Sequence, residues 1–113
     1  MTTNTQALQR LLDAVEAGTA TLYDFSTWRP GLTGTKKESA MMLRAYNGSL
    51  DAAKALHDAL LPGWDLLITT YEDGLFEVSV SEPLVVKTYD GLSEIIARAW
   101  LIAIIRAVMA GER

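Results

Sequence analysis

The sequence predicts an α+β fold: three helices, a three-stranded antiparallel sheet with helices packed on it, and a last helix, in the order α-α-α-β-β-β-α. Three observations carry this prediction. Apolar residues recur at helical spacing up to Leu61 and again beyond Ser93. The period changes to two after Trp64, and Asp73-Gly74 divides that alternating stretch into the arms of a hairpin. No internal repeat or low-complexity linker interrupts the 113 residues, so residues 1–113 read as one domain.

The first helix is expected to start with Asn4 or Thr5 as N-cap and to run to Ala17, with Gly18 ending it. Leu8, Leu11, Leu12 and Val15 form its apolar stripe, and Arg10, Asp13 and Glu16 occupy the opposite face. Residues Thr19 to Trp28 suit a short strand, a helical turn or an ordered loop, and Arg29-Pro30-Gly31 then breaks the chain. Thr35-Lys36-Lys37-Glu38 fits a capping box that opens a helix ending near Tyr46, before Asn47-Gly48. Ser49 can cap the next helix, Leu50 to Leu61, whose apolar side is Leu50, Ala53, Leu56, Leu60 and Leu61.

Leu66–Tyr71 and Leu75–Ser81 are the predicted hairpin strands, joined by a two-residue type I′ turn at Asp73-Gly74. That turn pairs Tyr71 with Phe76, Thr69 with Val78 and Leu67 with Val80, all on one buried face. Leu84–Tyr89 reads as the third strand, and Asp90-Gly91 as the turn into the last helix. Ser93 is its expected N-cap and Gly111 its stop.

Composition narrows the chemistry. Half of the residues are hydrophobic and 21% are charged, the balance of a folded globular protein. The chain has no cysteine, which excludes structural disulfides, thiolate catalysis and cysteine-based metal centres. A net charge of −4 weighs against broad nucleic-acid binding, which needs a basic footprint. The N-terminal segment lacks a signal-peptide layout, and the apolar run Ile95–Ala110 is too short and too charged to span a membrane. Cytoplasmic location is therefore expected.

Ser49-Leu50-Asp51-Ala52-Ala53 leading to Leu61-Pro62-Gly63-Trp64, a hairpin, and an Ala-rich last helix with Ala97-Arg98-Ala99 resemble small bacteriophage and prophage proteins of the phage ABA sandwich domain type. The likeness covers residues 49 to 110. It implies helices sandwiching a small sheet, a phage setting and the cytoplasm of a host cell, and it carries no catalytic residues to transfer.

The candidate sites are few. His57, the only histidine, has no second histidine or cysteine to complete a metal site and no G-x-S-x-G elbow to serve. It reads as a boundary histidine with one nitrogen satisfied. Gly31 to Lys36 lacks the spacing of a phosphate loop. Lys36 and Lys37 nevertheless open a helix, so a weak anion or partner contact can involve Trp28, Arg29, Lys36 and Lys37. Glu72 and Asp73 belong to the turn, while Asp51 and Asp58 lie on a solvated helix side; no acid–base pair emerges. Trp64 and Trp100 take packing positions, and Trp28 falls in the unassigned stretch.

The last helix holds the most apolar surface. Ile96, Ala99, Trp100, Ala103 and Ala107 form a core stripe, while Leu101, Ile102, Ile105 and Met109 add a second one beside Arg98. Either the domain covers both sides, or Arg98, Leu101, Ile102, Ile105 and Met109 form a protein interface. The interface reading describes a protein that is not an enzyme, needs no cofactor and acts by protein–protein contact. In a phage setting its concrete form is an inhibitor of a host defence system, anti-CRISPR-like. The alternative is a homo-oligomeric structural or morphogenetic accessory protein, with a homodimer as its simplest form.

Overall fold

A computed structural model describes residues 4–21, 25, 36–84 and 87–111. Among these, the order is α1 (Asn4–Ala17), α2 (Lys36–Tyr46), α3 (Leu50–Leu60), β1 (Asp65–Thr70), β2 (Phe76–Ser81), β3 (Thr88–Ser93) and α4 (Ile96–Gly111). The strands form one antiparallel sheet in the order β1-β2-β3. This is the predicted α+β fold with its predicted element order.

Local chemistry explains the helix ends. At the end of α1, the N–H groups of Gly18 and Thr19 donate to the carbonyls of Val15 and Ala14. This Schellman closure satisfies carbonyls that the helix itself leaves free. The end of α2 closes in the same way, with Gly48 N–H donating to Ala45 O and Ser49 N–H to Arg44 O. Ser49 also opens α3, because its Oγ accepts the Ala52 N–H at 3.1 Å. The proposed capping box rests on Thr35 and on the Glu38 side chain, which lie outside what the structure describes.

α4 is the axis of the core. Its residues Leu101, Ile102, Ile104 and Ile105 are all buried, each contributing on the order of 1.5–3 kcal/mol. The helix packs against α1, α2 and α3 on one side and across β3 and β2 on the other. The buried side of α3 is formed by Ala52, Ala53, Leu56 and His57. Leu50, expected on that side, is exposed instead.

The hairpin differs from its predicted form. Asp65 pairs with Ser81, Leu66 with Val80, Ile68 with Val78 and Thr70 with Phe76, a shift of one residue. Glu72, Asp73 and Gly74 form a three-residue loop, with Gly74 N–H donating to Tyr71 O and Tyr71 N–H to Leu75 O. Only Gly74 has positive φ (86°), whereas a type I′ turn would also have forced Asp73 there. The one-residue shift turns Leu67 away from Val80 and onto the opposite face.

The third strand is also displaced. It begins at Thr88, and Asp90-Gly91 lies inside it, paired with Ser79 and Val78. Gly91 is there for space and not for a turn. A Cβ built on it would sit 1.9 Å from the Ala99 carbonyl oxygen and 2.8 Å from the Ala103 nitrogen. The missing side chain lets α4 lie directly on the strand. Ser93 closes β3, and its Oγ accepts the Ile95 N–H, so it acts in the joint before α4 and not as the helix cap itself.

Candidate functional site

The sheet has two faces of different character. Gly91, Val78 and Ile68 form one cross-strand row, and Tyr89, Val80 and Leu66 the next, on the face that meets α4. Val78 and Val80 are fully buried beneath the helix. On the opposite face, Leu67, Ser79 and Asp90 share a row, where Ser79 Oγ donates to Asp90 Oδ1 at 2.6 Å. Leu67 and Leu92 remain 64% and 50% exposed on that face. The helix packed on the sheet thus covers one face. Among the described residues, the helices meet the sheet on the Val78–Val80 face.

Backbone direction separates the two edges as well. The Tyr71–Leu75 hydrogen bond fixes the alternation of the β1–β2 ladder. Residues 65, 67 and 69 turn their amides toward β2, and Leu66, Ile68 and Thr70 turn theirs outward. The Glu82–Lys87 bond sets the other ladder and leaves Thr88, Asp90 and Leu92 facing out from β3. At that β3 edge, Arg106 Nη1 donates to Asp90 O at 2.6 Å and Nη2 pairs with Glu16 Oε1 at 3.0 Å.

β1 has no such guard among the described residues. Its apolar triplet Leu66, Leu67 and Ile68 is 40%, 64% and 41% exposed. The strand carries one charge, Asp65, and no lysine or proline. Those are the devices that usually keep an edge from accepting another strand. This uncovered, apolar edge is the candidate site, and sequence reasoning missed it by placing Leu67 on the buried face. The available signal was the unbroken run Leu66-Leu67-Ile68, apolar on both faces of one strand.

The predicted interface on the last helix is corrected by the same packing. Leu101, Ile102 and Ile105 are buried inside the domain, covered by the sheet and the other helices. Met109 is half-buried against the same core. Arg98 lies 4.0 Å above the Tyr46 ring and donates from Nε to Tyr46 O, which ties α4 to the end of α2. Of the suggested anion or partner contact, Trp28 and Arg29 lie outside the described residues, as do the side chains of Lys36 and Lys37.

His57 is buried with both ring nitrogens engaged. Trp100 Nε1–H donates to Nδ1 at 3.2 Å, so Nδ1 is the acceptor and Nε2 carries the hydrogen given to Trp64 O at 3.0 Å. One satisfied nitrogen was expected; the ring instead bridges α4 to the loop between α3 and β1. Trp100 is buried, while Trp64 is half-buried and in tilted contact with Tyr89.

A cleft of about 340 Å³ lies between the end of α1 and the end of β3, lined by Gly18, Leu92, Glu94, Arg98 and Ile102. Its arginine is already spent on Tyr46. Among the described residues, no three His, Asp or Glu side chains gather into a metal-holding cluster, and no helix is long and apolar enough to cross a membrane. Comparison of the chain with protein-family models, with curated proteins and with solved structures returns no match.

Proposed function

We propose that this chain is a non-enzymatic binding protein that takes a strand of a protein partner along the free edge of β1. The outward amides of Leu66, Ile68 and Thr70, flanked by exposed apolar side chains, are the observation that carries this reading. Such an edge offers main-chain hydrogen bonds for affinity and alternating side chains for selectivity, the logic of strand addition. The phage setting implied by the resemblance gives the reading its specific form, an anti-CRISPR-like inhibitor of a host defence system acting in the host cytoplasm. The homo-oligomeric accessory protein is the second form, and the same edge serves it.

Site-specific photo-crosslinking in the cells that make the protein tests the reading. A photoreactive residue at Leu67 should give discrete protein adducts, and one at Lys54, exposed on α3, should not. Equal labelling from the two positions, or none from Leu67, would sink the proposal.

A further inference from the structure

Resting on the homo-oligomeric form of the strand-docking reading above, we infer that the strand accepted by β1 is β1 of a second copy, paired antiparallel about a two-fold axis at Ile68. The partner's chemistry follows from what the edge needs. Antiparallel self-pairing requires outward amides at positions symmetric about the axis, and Leu66, Ile68 and Thr70 are spaced to provide them. With the axis at Ile68, Leu66 meets Thr70 of the second copy and Ile68 meets its own equivalent, so every outward amide of both strands is bonded. Moving the axis to Leu67 would place Thr70 opposite Trp64, whose N–H is already given to Leu61 O. The Ile68 register therefore wins on backbone satisfaction.

Side chains and charge agree with that register. Leu66 and Ile68 lie on the α4 side of the sheet but beyond the helix that buries Val78 and Val80. Self-pairing brings Leu66 and Ile68 of each copy into one cross-strand cluster. Leu67 falls opposite Thr69 of the second copy on the other face. The only charge on β1, Asp65, is six positions from its equivalent along the paired ribbon, about 20 Å at strand rise. That separation exceeds the screening length of physiological salt. The β3 edge cannot substitute, because Arg106 occupies the Asp90 carbonyl that a new strand would need.

The absence of cysteine from the chain makes the test clean. In the Ile68 register the two Ile68 Cα atoms are about 5.5 Å apart, within disulfide range. Ile68→Cys should therefore give a disulfide-linked dimer on mild oxidation. Thr70→Cys, whose equivalents stand four positions apart along the ribbon, should form no disulfide link. Light scattering of the wild type should report twice the chain mass of 12.4 kDa. Ile68→Lys, which places two ammonium groups on the axis, should return the mass to that of one chain. Leu66→Lys gives the same reading should Ile68→Lys fail to fold by circular dichroism. A wild type that is monomeric at millimolar concentration overturns the inference, as does equal cross-linking of the two cysteine variants or a dimer that survives both lysines. A monomer whose Leu67 adducts contain a different protein overturns self-pairing but leaves the strand-docking reading standing.

Discussion

The β3 edge of the sheet is held down from three directions: α4 lies on Gly91, Arg106 takes the Asp90 carbonyl, and Glu16 anchors that arginine to α1. The β1 edge, two strands away, has none of these, and its apolar side chains stand in solvent. Both strands have six residues and both pair with β2. What separates them is the position of α4, which reaches across β3 and β2. One edge is therefore tied to the helices and the other is open, although neither is distinguished by strand length or pairing.

The strongest way to break the contrast is at Gly91. Gly91→Ala drives a Cβ into the Ala99 carbonyl and should cost about 3 kcal/mol or more, read as a large drop in the urea midpoint. An unchanged midpoint would mean that α4 does not rest on β3. Next, Val80→Ala should cost about 2 kcal/mol, while Leu67→Ala should stay within about 0.5 kcal/mol. Similar losses at the two positions would erase the distinction between covered and uncovered surface. Arg106→Ala should cost about 1 kcal/mol, because its bonds to Asp90 O and Glu16 are partly solvated. Hydrogen exchange should show faster opening of β3 and little change in β1.

The smallest effect is a titration near the hairpin loop. The Glu77 carboxylate raises the ionisation of Tyr71 above the usual tyrosine range, first by its charge and then by accepting the phenol hydrogen at 3.2 Å. Because the folded value is the raised one, the contribution is fully present below the unfolded tyrosine value and is lost as pH climbs through the folded value. Ring resonances of Tyr71 should titrate above those of an unstructured tyrosine. Glu77→Gln should bring them back down. A titration insensitive to that change would detach the loop side chain from β2.

Much of the fold could be read directly from residues. Gly18, Asn47-Gly48 and Ser49 announce helix ends through local chemistry that tertiary packing does not override. The register of the hairpin could not be read in the same way. Asp73-Gly74 suits both a two-residue turn and the end of a three-residue loop, and hydrophobic alternation does not choose when Leu66, Leu67 and Ile68 are all apolar. Asp90-Gly91 looks like a turn until the backbone of α4 is known to pass beside it. The doubly apolar α4 has the same ambiguity. Its pattern fits an exposed interface or a helix enclosed on all sides, and only the placement of the other helices decides. The candidate site was hidden for the same reason, since exposure of β1 depends on where α4 stops.

Ser49 ends the three-residue joint between α2 and α3 and serves both helices: its amide belongs to the helix behind it and its hydroxyl to the helix ahead. The two duties are chemically separable. Alanine would silence only the second, whereas proline, tolerated by the local φ of −77°, would remove both. Such a hinge-free splice has no slack to absorb an inserted residue. Sequence drift in length should therefore be barred at residues 47–49 and admitted at the hairpin tip, making this one serine a point where the spelling of the chain is fixed in both directions.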